Sequence, residues 1–132
     1  MPNTADAIHH KLAHLYPLLA DKISDYMDSR NCTTIYGETV KGDQTYDDYV
    51  ECFRKMLEIH LELESLTRES IVLAQSSNDY ATKVYLEKFL LDLIPITQSI
   101  MTLVDKSEMY EEGRIGSMRF DHDFSSFNVF GE

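Results

Sequence analysis

At 132 residues the chain is long enough for one domain with a proper core, and a 43% hydrophobic content excludes disorder over most of its length. Five Gly and three Pro are too few for the many tight turns of an all-β fold. A formal net charge of −11, with no Lys/Arg cluster to override it, argues against nucleic acid and against acidic partners, and makes multivalent cations the natural ligands.

The N-terminus, MPNTADAIHHKL, has neither a basic region nor an apolar stretch, so no signal peptide is expected there. No apolar run approaches the roughly 20 residues that span a bilayer. The two cysteines, Cys32 and Cys52, have no CxxC or Cys/His zinc spacing and read as reduced thiols. These features together predict a soluble, cytoplasmic protein.

The first predicted helix starts near Thr4, with Asn3 or Thr4 as its cap, and ends at Ser29-Arg30-Asn31. Ile8, Leu12, Leu15, Leu19, Ile23 and Tyr26 recur at helical steps and form one apolar stripe. On nearly the opposite side lie His10, His14, Asp21, Asp25 and Asp28, all within about 60° of one another on a regular helix. Imidazoles and carboxylates together suit iron, zinc or manganese, and a pair one turn apart is the usual way a helix offers two ligands. A solvated polar face is the plainer reading of the same stripe, unless the helix pairs with another subunit along it.

A polar loop with Gly37 and Gly42 leads to a second predicted helix from Thr45 to about Gln75, with Asp47 and Asp48 in its first turn. Its apolar side carries His60 and, one turn on, Glu64. Such a pair is either structural or two ligands facing a bundle interior, as in di-iron carboxylate bundles. The cap-rich Ser76-Ser77-Asn78-Asp79 separates it from a third helix, Tyr80 to about Lys106, in which Pro95 predicts a kink.

After Gly113 the helical periodicity fades, but Phe120, Phe124, Phe127 and Phe130 are too many aromatics for a solvated tail. Residues 113–132 are therefore expected to pack on a bundle formed by residues 1–112 or on a neighbouring subunit. Asp121-His122-Asp123 in this tail is weak evidence for a metal site. No nucleophile motif or phosphate-binding loop is present in the sequence.

The stretch LEIHLELESLTRESIVLAQSSNDYATKVYLEKF, Leu57 to Phe89, resembles the last two helices of ferritin-like proteins: a Glu-rich helix ending in Ala74, then Asp79 at the turn, Thr82 and Leu86. The first helix, HHKLAHLYPLLADKISDYMDSR, resembles the second helix of Dps-type miniferritins, with His near its start, a Leu-Tyr pair and two acids one turn apart. The resemblance implies an all-α, ferritin-like antiparallel bundle of three long helices and an oligomer, a dimer or larger. It also implies iron at a two-fold interface, held by His from one subunit and acids from the other. The His falls on His10 or His9, the acids on Asp25 and on Asp28 or Asp21, and His14 lies near a further ligand position. Fe(II) oxidation or iron sequestration is the implied activity. The alternative is a metal-free helical module that oligomerises through a helix face and the aromatic tail.

Overall fold

The computed structural model describes residues 1–42 and 44–131, and these form helices and loops with no strand. The chain divides into two compact units, Met1–Thr45 and Tyr46–Glu132.

The first unit is a long helical segment followed by an extended strip. Helix α1, Pro2–Ile8, begins two residues earlier than expected, with Pro at a first-turn position where its missing N–H costs nothing. It runs into a π-helical turn, His9–Ala13, and α-helical bonding resumes as α2, Leu15–Ser29. The expected single helix is thus interrupted. The cause is Pro17 in the third position of α2: it has no N–H for the Ala13 carbonyl, and its ring crowds that carbonyl, so the turn before it widens. Leu12 and Leu19 of the apolar stripe are buried. Asn31, at φ 58°, ends α2 in the left-handed conformation, and the Cys32 amide bonds back to the Met27 carbonyl at 2.8 Å. The strip that follows folds back along α2, where Ser24 Oγ meets Thr34 Oγ1 at 3.0 Å.

The second unit is built on two packed 28-residue helices, α3, Tyr49–Ser76, and α4, Tyr80–Ser107. Helix α3 starts four residues later than Thr45 because Asp48 takes the cap, accepting the Glu51 amide at 3.0 Å, rather than lying in the first turn. Asn78, again at φ 58°, closes α3, and Asp79 opens α4 by accepting from the Thr82 amide and hydroxyl. One residue stops one helix and its neighbour starts the next. Helix α4 stays α-helical through Pro95. Leu93, Ile100 and Leu103 are fully buried on its inner face.

The tail is more ordered than its fading periodicity predicts. Residues Gly113–Asp123 form helix α5, followed by a 3-10 turn, Phe124–Phe127. Its inner side is Gly116, Phe120 and Phe124 at steps of four. The fully buried Phe120 ring lies 5.5 Å from that of Tyr49, 5.7 Å from Phe53 and 5.6 Å from Tyr110. The tail therefore packs on the α3–α4 hairpin of its own chain. Gly116 lets the chain turn tightly into α5: a Cβ there would lie 1.5 Å from the Glu111 carbonyl oxygen.

Candidate functional site

The sequence-marked ligands fall into three places. The first is the π turn. In a regular α-helix residues five apart diverge by about 140°, but the wide turn brings His9 and His14 together, with Nε2 atoms 3.1 Å apart and ring centroids 4.6 Å apart. The His10 ring stacks beside that of His14 at 6.1 Å, and its Nε2 lies 3.2 Å from the Asp6 carboxylate. All three histidines are exposed. The resemblance puts the ligand His on His10 or His9, and on a regular α-helix His9 leaves the polar stripe. Pro17 is the signal that predicts the wide turn and, through it, the pairing.

The second place is the outer side of α2, where Asp21, Asp25 and Asp28 stand exposed on successive turns. The seven-residue step from His14 to Asp21 corresponds to about 10 Å of helix rise. One copy of the helix therefore cannot bring these imidazoles and the α2 carboxylates to a single ion. Asp28 also lines a polar recess of about 430 Å³ with Ser24, Asn31, Cys32, Thr33, Thr34 and Tyr36.

The third place is the α3–α4 interface. His60 and Glu64 are both buried, as their apolar surroundings in the sequence require. Their partners are protein groups. His60 Nε2 lies 3.3 Å from the Leu93 carbonyl, and the Thr97 hydroxyl donates to Glu64, which also faces Arg68 at 3.7 Å. This polar layer satisfies buried groups and fixes the register of the two helices.

In the tail, Asp121 is buried while His122 is exposed. Asp123 accepts from His122 Nδ1 at 3.0 Å and from the Tyr110 hydroxyl at 2.7 Å. Those hydrogen bonds, from His122 first and Tyr110 second, hold its carboxyl below the usual range, and the Asp123 bond pushes the Tyr110 phenol up. Burial pushes up the Cys52 thiol, which like Cys32 is free of any disulfide.

Among the described residues no group of three or more His, Cys, Asp or Glu side chains is arranged to hold a metal ion, and no helix is long and apolar enough to cross a membrane. Comparison with family models, with curated proteins and with solved structures finds no match to this chain.

Proposed function

We propose that the chain is a ferritin-like metal-binding protein that holds iron where its first helical segment meets the same segment of a second copy. The observation that carries this reading is a symmetry in the exposed polar side. His10 lies nine residues before Leu19 and Asp28 nine after it, while His14 lies five before and Asp25 six after. Two antiparallel copies centred there set the imidazoles of each against the carboxylates of the other. Leu18, 51% exposed at that centre, supplies an apolar contact across the axis. The donor set suits iron, and the division of donors within one chain is answered by the second copy.

His10, His14, Asp25 and Asp28 would hold the metal, with Asp21 in support; iron so held supplies electrons to dioxygen or peroxide, so that Fe(II) becomes Fe(III). The acidic surface draws cations toward the site. The test is iron content and Fe(II) oxidation of the purified protein beside a His10→Ala/Asp25→Ala double variant. Both are expected in the parent and lost in the variant. A correctly folded oligomer with no bound iron and no oxidation above buffer removes the proposal.

A second reading, a metal-free oligomerisation module, is favoured by α4. Tyr80, Val84, Leu91, Ile94 and Met101 are all exposed and fall at the three- and four-residue steps of a coiled-coil seam, with Glu87 and Gln98 filling the remaining positions. On this reading the protein stripped of metal by a chelator stays oligomeric. A Leu91→Glu/Ile94→Glu variant then dissociates in sedimentation, whereas a Leu18→Glu variant does not.

A further inference from the structure

We propose that His9 and His14 form a two-imidazole chelate, within a single chain, for a late first-row divalent cation: Cu²⁺, Ni²⁺ or Zn²⁺. The site shares His14 with the proposed iron site between copies, but it uses His9 where that site uses His10 and the carboxylates, and it needs no second chain, so His9→Ala and Asp25→Ala tell the two apart.

The distance carries the first part of the case. With metal–nitrogen bonds of about 2.0–2.1 Å, two cis ligands sit about 2.9 Å apart in an octahedral or square shell and about 3.3 Å apart in a tetrahedral one. The observed Nε2···Nε2 separation of 3.1 Å falls between these values, so the pair closes on an ion with small side-chain rotations.

The backbone carries the second part. Residues five apart meet only because the turn His9–Ala13 is π-helical, a conformation that is rare and frequent at functional sites. Without an ion, one Nε2 carries the hydrogen and the other accepts it. To hold an ion, the donor ring would carry its hydrogen on Nδ1 instead, which leaves both Nε2 lone pairs for the cation.

His10 contributes differently. Its Nε2 is engaged by Asp6, which leaves it beside the chelate rather than in it. Water fills the remaining positions, because the three rings are exposed. Imidazole donors select the late metals, so affinity should follow Cu²⁺ above Ni²⁺ and Zn²⁺, with Mn²⁺ weakest.

The experiment is titration of the full chain with Ni²⁺ by calorimetry, on the parent and on His9→Ala, His14→Ala, His10→Ala and Asp25→Ala variants. Circular dichroism checks that each is folded, as expected for exposed positions. One Ni²⁺ per chain is expected. Affinity should fall at least about tenfold in His9→Ala and in His14→Ala, and stay within about threefold of the parent in the other two. Undiminished binding in His9→Ala overturns the chelate. So does an equal loss in Asp25→Ala, which would instead assign the cation to the interface between copies.

Discussion

The Thr97 hydroxyl donates to the Glu64 carboxylate across the α3–α4 interface, one turn from where His60 meets the Leu93 carbonyl. Both carboxylate and hydroxyl are buried, so neither finds water when its partner is removed. A Thr97→Val variant should lose about 1–3 kcal/mol of stability, because it leaves the Glu64 oxygen without its donor. Replacing both, Glu64→Leu with Thr97→Val, should cost less than the sum of the single changes, since no orphan remains. Urea unfolding of the four proteins reads this coupling directly. Strict additivity would mean that the pair contributes nothing as a pair.

The tail makes a second stability prediction. Phe120 is wholly buried among Tyr49, Phe53, Tyr110 and Phe127, and truncating such a ring usually costs about 3–5 kcal/mol. Phe120→Ala should therefore lower the unfolding midpoint sharply. Gly116→Ala should act by the opposite route, overpacking: its methyl meets the Glu111 backbone carbonyl, which cannot swing aside as a side chain can. A cost of about 1–3 kcal/mol is expected there. If Gly116→Ala proved neutral, the chain before α5 would have to pass Gly116 less closely at Glu111 than it does.

The two long helices were legible in the sequence because each repeats its apolar positions over several turns and is bounded by strong capping residues, with Asp79 between them. His60 and Glu64 were legible as buried for the same reason, but their partners were not. The Leu93 carbonyl and the Thr97 hydroxyl become neighbours only when the helices set their register. Helix α5 is not legible because it carries one Phe, Phe120, and two glycines, which resemble a broken pattern, and Gly116 counts as core only once its neighbour is known. The His9–His14 approach is not legible from regular helix geometry, 100° per residue, because that geometry fails where Pro17 widens the turn.

The bonds that Asp123 accepts from His122 and from Tyr110 predict a dependence on pH in both directions. Asp123 has a lowered pKa when folded, so the stability it contributes is present above the ordinary carboxylate range and is lost as pH falls through the lowered value. Tyr110 has a raised one, so its contribution is present below the ordinary phenol value of about 10 and is lost as pH rises through the raised value. Unfolding midpoints measured across pH should show both limbs in the parent. Asp123→Asn should flatten the acid limb and Tyr110→Phe the alkaline one. Unchanged limbs in these variants would assign the pH dependence to other groups.

Pro17 offers a test of how the histidine pair is built, separate from the ligands themselves. A proline inside a helix is costly, since it forfeits one backbone bond and crowds a carbonyl. Here that cost opens the π turn that sets His9 facing His14. In a Pro17→Ala variant the Ala13 carbonyl regains an amide partner, and α-helical bonding can run unbroken from Pro2 to Ser29. His9 then rotates to about 140° from His14, and the two imidazoles part. The expected result is a rise in helical circular dichroism and in melting temperature, together with a fall of at least about tenfold in Ni²⁺ affinity, although neither ligand has been touched. Gain of helix with full retention of Ni²⁺ binding would mean that the π turn is not what positions the pair. A loss of both would mean that Pro17 stabilises the segment rather than widening it. The opposite movement of stability and metal affinity is therefore the signature of a turn held open by this proline.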